Sequence, residues 1–247
     1  MRWRVLTVAF LLAVAASAGA GPPFITDDPE PVELHHWEVY ISSLLQHDSA
    51  GTSGTLPHVE VNYGAVPNLQ VHLIVPYAFN HPPGDGTAHG LGDTELGVKF
   101  RFLQETAHQP MVGVFPLLEV PTGSARHGLG SGHPQVFLPV WLQKSWGPWT
   151  SYGGGGYFVN PGAGNRDYWL AGLEAQRDLS AQWTLGGELF GTTPQSAGAP
   201  SELNFNLGGQ YNVDDGHHIL FSAGRGLRGD VKFTDYLGFQ WTFGPRG

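Results

Sequence analysis

The chain of 247 residues contains no cysteine, which excludes disulfide bonds and a lipid-modified amino-terminal cysteine. Charge is also scarce, because Asp, Glu, Lys and Arg together make up 13% of the residues. A surface in water usually carries roughly 25–35% of these residues. With 12 basic against 21 acidic residues, nucleic acid and anionic lipid headgroups are poor partners. Something other than water is therefore expected to cover much of the folded surface.

Long hydrophobic runs are missing, and the one apolar run near the start is short. Arg2 and Arg4 precede an apolar run over residues 5–16, and Ala18-Gly19-Ala20 offers a small-residue cleavage site. The run is too short to cross a bilayer, which takes about 20 apolar residues in a helix. Residues 1–20 are therefore predicted to be a signal peptide that exports the rest of the chain.

Alternation of apolar and polar residues recurs along the rest of the chain, and helical periodicity is almost absent. In residues 93–102, for example, Leu96 and Val98 fall on one face and Lys99 on the other. Each alternating segment runs roughly 9–13 residues, enough to cross hydrocarbon at a tilt of about 45°. Twelve segments are predicted, beginning near residues 37, 57, 69, 93, 110, 134, 148, 167, 181, 202, 217 and 231.

The connections between these segments differ in length by parity. Those after odd-numbered segments are mostly longer and rich in Gly, Pro and Ser: 48–56, 80–91, 121–133, 160–166, 193–201 and 225–230. Those after even-numbered segments are mostly shorter: 64–68, 104–109, 144–147, 178–180 and 213–216. Outer-membrane barrels combine short periplasmic turns with long outer loops in this way. Aromatic residues near the segment ends, such as Trp37, Trp149 and Trp241, fit the interfacial girdles of such barrels.

These patterns together predict an all-β fold. Residues 37–243 are expected to form one antiparallel transmembrane β-barrel of about 12 strands in the bacterial outer membrane. Pro76, Pro116 and Pro139 predict bulges or breaks in the ladders. The expected partners are outer-membrane lipid, the barrel-assembly machinery and a small-molecule solute. A secreted soluble β-sandwich, in which the apolar faces meet each other, is the alternative fold.

An acidic, proline-rich arm, residues 21–36, precedes the first segment and contains the sequence FITDDPEPV. Its prolines exclude regular helix and ladder pairing. An even number of strands places both chain ends in the periplasm, so the arm is expected at the periplasmic mouth. One hypothesis makes it a partial plug whose acidic groups meet basic groups in the lumen, and the other makes it a solvated tail. The candidate plug residues are Phe24, Thr26, Asp27, Asp28 and Pro29.

The same arm carries a resemblance to a known family. Phe24-Ile25-Thr26-Asp27-Asp28-Pro29-Glu30-Pro31, followed by Trp37-Glu38, resembles the opening signature of the meta-pathway of phenol degradation family of bacterial outer-membrane transporters. Gly90-Leu91-Gly92-Asp93, Pro121-Thr122-Gly123 and Gly130-Ser131-Gly132 are similar to internal landmarks of that family. The resemblance covers nearly all of residues 22–243. It implies a barrel with a channel for hydrophobic or aromatic compounds, and no established catalytic residues.

Ionisable residues on the polar faces are the candidate pore-lining residues, because facing lipid is costly. An acidic lumen would favour cations or neutral solutes over anions, whereas a salt-bridge network would close a narrow lumen. The candidates are Glu38, Glu60, Glu95, Lys99, Arg101, Glu119, Glu174 and Glu188. With six carboxylates and two cations, such a network cannot be neutral.

Catalytic and metal-binding signals are weak, so the chain is predicted to be a passive channel without a cofactor rather than an enzyme. There is no G-x-S-x-G sequence, and Ser131 with His133 is only a local pair in a Gly-rich loop. An outer-membrane hydrolase acting on lipids remains the alternative function. The pairs His35-His36 and His217-His218 are expected near each other at the periplasmic rim, where a metal ion is a minor possibility. Gly153–Gly156 predict a sharp bend or a close approach by another segment, such as the arm.

Overall fold

The computed structural model describes residues 22–245. The predicted signal peptide, residues 1–20, lies outside the described residues, as does Gly21 of the predicted arm. Among residues 22–245, no helix is long and apolar enough to cross a membrane, a finding that concerns helices alone and has no bearing on strands.

Nearly all of the regular structure is β-strand. The segments are β1 (Trp37–Asp48), β2 (Gly51–Val66), β3 (Leu69–His81), β4 (Ala88–Leu91), β5 (Thr94–Leu103), β6 (Met111–Val114), β7 (Leu117–Val120), β8 (Gln135–Trp146), β9 (Trp149–Val159), β10 (Tyr168–Asp178), β11 (Trp183–Thr192), β12 (Glu202–Asp214), β13 (His217–Arg228) and β14 (Phe233–Phe243). One short 3-10 helix, Ala125–His127, is the only helix among the described residues. The alternating segments of the sequence form these strands because successive side chains of a β-strand point to opposite faces of the sheet, which separates apolar from polar residues.

The strands form a single closed sheet in which all neighbours pair antiparallel. β1 pairs with β14 from Trp37–Phe243 to His47–Phe233, and this pairing closes the barrel. Two of the crossings consist of two segments each: β4 and β5 both pair with β3, and β6 and β7 both pair with β5 and β8. The wall therefore has 12 crossings. The predicted twelve-stranded barrel is confirmed, and the alternative β-sandwich is wrong because all strands of residues 22–245 belong to one sheet.

The prolines interrupt the wall in two of the three predicted places. Opposite Pro76, the β2–β3 ladder shifts its register between Thr55 and His58. Pro116 lies in the gap between β6 and β7. The break predicted at Pro139 is wrong for the pairing of β8 with β9, because that ladder runs through Pro139 without a register shift. Pro139 tolerates this position because its other side faces the gap at Pro116, where no N–H donor is required.

Connection lengths follow the predicted parity only in part. Left-handed backbone at Asn68 (φ 66°) and Gly147 (φ 61°) makes two of the even connections tight, whereas the even connection 104–110 is longer. The odd connections 82–87, 121–134, 160–167 and 193–201 are long, but 229–232 only equals the even connection 179–182 in length. The first odd connection spans only residues 49–50, because β2 begins at Gly51 rather than near residue 57. Strand β2 continues through Pro57, because the β2–β3 register shifts between Thr55 and His58 and so accommodates the proline ring. The barrel end with the short turns, Trp37 and Phe243 is called the short-turn end below; the opposite end is the long-loop end.

The wall is apolar outside and polar inside. On β12, Leu207 faces outward and is 65% exposed, whereas the neighbouring Asn206 faces inward and is 4% exposed. Trp37, Trp149 and Trp183 begin strands at the short-turn end, and their side chains are exposed on the outer surface. A soluble protein buries its apolar face, so this arrangement is that of a wall in contact with lipid, with an aromatic girdle.

Candidate solute pathway through the barrel

The arm lies inside the barrel and runs from the short-turn end toward the middle. Leu34 forms a parallel bridge with Gly64 at the short-turn end. Further in, the Val32 N–H donates to Gln70 Oε1 over 2.9 Å. Ser222 Oγ, halfway along β13, donates to the Pro23 carbonyl oxygen over 2.6 Å. The side chains of Thr26 and Asp28 have no exposed surface. Residues 22–34 are thus packed against the inner wall along most of their length.

Glu188 on β11 binds the deepest part of the arm. Its carboxylate accepts the Ile25 N–H at 2.9 Å and the Thr26 N–H at 2.8 Å. Asn206 Nδ2 donates to the same carboxylate over 2.7 Å. A proline-rich segment has few backbone N–H donors, and the Glu188 carboxylate accepts hydrogen bonds from two of those present. Hydrogen bonds to an ionised acceptor are stronger than neutral ones, so Glu188 is a specific anchor for the arm.

Two cations of β5 bind the acidic part of the arm. Lys99 Nζ lies 3.0 Å from Asp27 Oδ1 and 3.7 Å from Asp28 Oδ2. Arg101 Nη1 lies 3.4 Å from Glu30 Oε1. Burial raises the pKa of the Asp28 carboxyl to about 8, although the nearby ammonium of Lys99 opposes this shift. Both cations of β5 are therefore engaged with the arm and leave most wall carboxylates without a basic partner.

Glycines make room for the arm along the wall. A β-carbon on Gly64 would collide with the Glu33 carbonyl oxygen, and one on Gly172 would collide with Thr26 Oγ1. A β-carbon on Gly113 would lie 3.0 Å from Pro29 Cβ. The sequence-based interpretation of Gly153–Gly156 as a contact for the arm is wrong. The backbones of β8 and β10 are the close neighbours of these four glycines, and Gly154 and Gly156 lie opposite Trp141 and Pro139.

The eight candidate lining residues all lie on inward-facing positions of their strands, as their alternation with exposed apolar neighbours shows. The barrel brings them together in pairs. Glu95 and Glu119 are register partners on β5 and β7, and Glu174 and Glu188 are register partners on β10 and β11. Glu174 is fully buried, and neither of its carboxyl oxygens has a hydrogen-bond partner among the described residues. Like charges directly opposite each other are destabilising, so these pairs would repel if both members were ionised.

His72 is a lining residue that sequence reasoning missed. Its Nε2 lies 2.9 Å from Glu95 Oε1, and its Nδ1 lies 2.6 Å from Asn62 Oδ1 and 3.6 Å from Glu60 Oε1. The residue shares the inward parity of Gln70 on β3, and that parity was the signal that could have identified it. A protonated His72 would add a third cation to the lumen and neutralise part of the charge of two glutamates.

The arm separates two cavities in the lumen. The smaller, of about 90 Å³, lies toward the short-turn end and is lined by polar groups that include Glu30, Glu38 and Lys99. The larger, of about 570 Å³, lies toward the long-loop end, and Phe24 and Ile25 of the arm form its floor. The second volume is in the range of small-molecule sites. It is called the upper cavity below.

Aromatic side chains line one side of the upper cavity. Phe158 and Tyr168 face into it and stack on each other, with ring centroids 4.7 Å apart and planes within 10°. Phe158 also stacks on Phe137 at 4.2 Å. Leu170 and Phe190 extend the apolar surface over the next strands. An apolar surface on the inner wall is unusual beside so many carboxylates, and it offers a contact for an apolar solute.

The remaining candidates do not form a reactive site. Ser131 Oγ donates to Asp93 Oδ2 and to the main-chain oxygen of His133, not to its imidazole. At the short-turn end, His35 contacts Tyr63 Oη and His217 contacts Asp214 Oδ1. Within residues 22–245, no group of three or more potential ligands is placed to hold a metal ion.

The closed wall and its polar interior define a transmembrane β-barrel of the outer-membrane type. Solved structures agree with this class. The COG4313 outer membrane channel from Pseudomonas putida F1 matches with a TM-score of 0.68 and 17% identity over 87% of this chain and 98% of that one. The KdgM porin, in complex with disordered oligogalacturonate, matches with a TM-score of 0.60 and 10% identity over 83% of this chain and 99% of that one. The translocator domain of the autotransporter NalP from Neisseria meningitidis matches with a TM-score of 0.59 and 11% identity over 85% of this chain and 90% of that one.

At these identities the similarity shows the fold alone. The first two are a channel and a porin by name, rather than enzymes. No protein-family model matches the chain, and no curated protein matches its sequence. The resemblance to the meta-pathway family therefore has no support from a family model.

Proposed function

We propose that this protein is a passive channel of the bacterial outer membrane for small hydrophobic or aromatic compounds. The observation that carries the proposal is the upper cavity, which combines a small-molecule volume with the stacked rings of Phe158 and Tyr168 inside a lipid-facing barrel. The KdgM porin and the COG4313 channel have the same architecture. The solute class also follows from the resemblance to the meta-pathway of phenol degradation family, and membership of that family is part of the proposal.

The arm is proposed to be a partial plug at the periplasmic mouth. Periplasmic turns are typically short, which supports assigning the short-turn end to the periplasm, and the arm enters the lumen from that end. Its anchors are an ion pair to Lys99, another to Arg101, and the carboxylate of Glu188. Arm residues line both cavities, so a solute would pass from one to the other when the arm shifts along the wall.

The lumen is proposed to be lined by the eight candidate residues and to disfavour anions. Six carboxylates face inward, and Lys99 and Arg101 are engaged by acidic groups of the arm. A solute that carries a negative charge would meet repulsion at most depths. Outer-membrane lipid on the outer wall, and the barrel-assembly machinery during insertion, complete the proposed partners in the Gram-negative envelope.

Liposome swelling with a panel of neutral, cationic, anionic and aromatic solutes tests the proposed function. Proteoliposomes are expected to swell faster than empty liposomes for small neutral and aromatic solutes, and slowest for anions. Removal of residues 22–34 should raise all of these rates if the arm obstructs the lumen. Folding is checked by heat-modifiable migration in gels. Swelling rates equal to those of empty liposomes for every solute, in both forms of the protein, would show that the barrel is not a channel.

A further inference from the structure

The upper cavity is acidic as well as apolar. Glu60 and Glu95 line it on one side and Glu202 on another, while His58 is the one imidazole that lines it. Among the described residues that border the cavity, there is neither Lys nor Arg. Glu60 and Glu95 both approach His72. Glu202, by contrast, forms no ion pair with any residue of the described range 22–245.

A buried hydrogen-bond acceptor lies next to Glu202. The side chain of Asn204 is only 3% exposed, lines the cavity and has no partner for its Oδ1 within the described part of the chain. Glu202 and Asn204 are two residues apart on β12, so both point inward and lie about 7 Å apart. Leaving such an acceptor unsatisfied is costly in a buried place, so a ligand donor that reached it would remove this cost.

The apolar wall adjoins these acceptors directly. Phe190 on β11 is the register partner of Asn204, and Thr192 is the register partner of Glu202. Leu170 on β10 is in turn the register partner of Thr192. Partners on neighbouring strands have β-carbons about 4.5–5.5 Å apart. The ring of Phe190 and the side chain of Leu170 thus lie one or two strands from the carboxylate and the amide oxygen.

We propose that the upper cavity binds a small amphipathic organic cation, with its amine at Glu202 and Asn204 and its aromatic or branched apolar body on Phe190, Leu170 and Tyr168. An ammonium group supplies up to three donors and a positive charge, which match an unpaired carboxylate and an unsatisfied oxygen. A neutral alcohol with the same ring would keep the apolar contacts but lose the ion pair with Glu202. An aromatic carboxylate would be repelled by the negative charge of Glu202. The inference rests on the proposed channel function and specifies its solute.

Three probes with the same ring test the proposal: 2-phenylethylamine, 2-phenylethanol and phenylacetate. Binding to the full barrel in nonionic detergent is measured by isothermal titration calorimetry, with micelles alone as the blank. The amine is expected to bind about fivefold more tightly than the alcohol, because a partly solvated ion pair contributes about 1 kcal/mol. Phenylacetate is expected to bind most weakly.

Matched variants locate the site. Glu202→Gln should remove the preference for the amine and leave binding of the alcohol unchanged. Phe190→Ala should lower the binding affinity for the amine and for the alcohol alike, by about tenfold. Asp85→Asn, which removes a carboxylate in the exposed 82–87 loop at the same barrel end, and Phe233→Ala, which removes an outward-facing ring, should change neither.

The outcomes separate this inference from the channel function. Equal binding of amine and alcohol to the unmodified protein, or a preference that survives Glu202→Gln, would overturn the inference while swelling still supports a channel. Absence of swelling for all solutes would refute the channel, whatever calorimetry shows. Preferential binding of the amine that is lost only in Glu202→Gln would support the proposed site. Calorimetry on the unmodified protein decides whether the amine is preferred at all, so the inference can be overturned even if a variant misfolds.

Discussion

Lys99 of β5 and Asp27 of the arm form an ion pair inside the barrel, with Nζ and Oδ1 3.0 Å apart and the lysine only 4% exposed. The two residues are 72 positions apart in the sequence. A buried charge is stable only when it is paired, so each residue depends on the other being in place. The position of the arm and the electrostatics of the lumen are therefore linked.

Lys99→Gln should release the arm. Asp27 would lose its cation inside the barrel, and loss of one partner of a buried pair costs about 3–5 kcal/mol. A limiting amount of protease added from the periplasmic side should then cut the arm at least about 100-fold faster. Lys144→Gln is the matched control, because Lys144 pairs with Glu105 away from the arm. Equal cleavage of both variants would show that Lys99 does not retain the arm.

Glu174→Gln should stabilise the barrel. The change removes a fully buried carboxyl group with no hydrogen-bond partner and ends its repulsion with Glu188 across the strand pair. The gain is expected to be about 1 kcal/mol in the free energy of unfolding, measured with urea in micelles or bilayers. Glu188→Gln is the contrasting variant and should weaken the arm instead, because the charged acceptor for Ile25 and Thr26 is lost. A destabilised Glu174→Gln barrel would contradict this account.

The arm should be held more firmly near pH 6 than near pH 9. Burial raises the pKa of Asp28 from 3.8 to about 8, against the opposing effect of Lys99. A raised carboxyl pKa means that the docked arm binds a proton that the free arm releases. This contribution to docking is complete below about pH 4 and is lost as the pH rises through about 8. Single-channel conductance should therefore increase between pH 6 and pH 9.

Asp28→Asn tests the origin of that pH dependence. Asparagine keeps the acceptor for the Glu30 N–H and is neutral at every pH, so the arm should stay docked and the conductance should remain flat. Asp85→Asn, in an exposed loop, should retain the behaviour of the unmodified protein. If the pH dependence persists in Asp28→Asn, another titrating group controls the arm.

Arginine on the outer wall should destabilise the barrel according to its depth. Leu207 lies in the middle of β12 and faces outward, so Leu207→Arg should cost about 2–4 kcal/mol. Leu203 faces outward near the long-loop end of the same strand, and Leu203→Arg should cost about 0–1 kcal/mol. Unfolding by urea in lipid vesicles measures both. Equal costs for the two variants would place the hydrocarbon belt elsewhere on the wall.

Much of the wall could be predicted from the sequence because strand geometry is strict. Side chains alternate between two faces, so a segment such as residues 93–102 places Leu96 and Lys99 on opposite faces without any tertiary information. The prediction of a barrel then turns Leu96 outward and Lys99 inward. The prediction failed where a local signal was overridden. The pattern predicts a strand that begins near residue 57, yet β2 begins at Gly51 and continues through Pro57, because a register shift accommodates the ring.

The candidate site was less accessible to sequence reasoning. The acidic inward positions follow from parity, but the partners of these carboxylates do not. Glycines that receive the arm, such as Gly172, look in the sequence like any other strand glycine. The run Gly153–Gly156 predicts a bend or a close approach by another segment, and its close neighbours are the adjacent strands β8 and β10. A lone histidine in an alternating strand, such as His72, carries no distinctive spacing, so its contacts with Glu95 and Asn62 are visible only in the fold.

By itself, the order of residues determined where strands form and which side chains share a face, because both depend on a period of two within each strand. Loop lengths and the export signal, added to this alternation, favoured a barrel over a sandwich. Only the tertiary structure decided which wall residues meet the arm, where the upper cavity lies and which carboxylates lack a partner. Those facts depend on the closure of β1 onto β14 and on contacts between residues as distant as Ile25 and Glu188. No local pattern encodes such contacts, since their register is set only when the whole sheet is assembled.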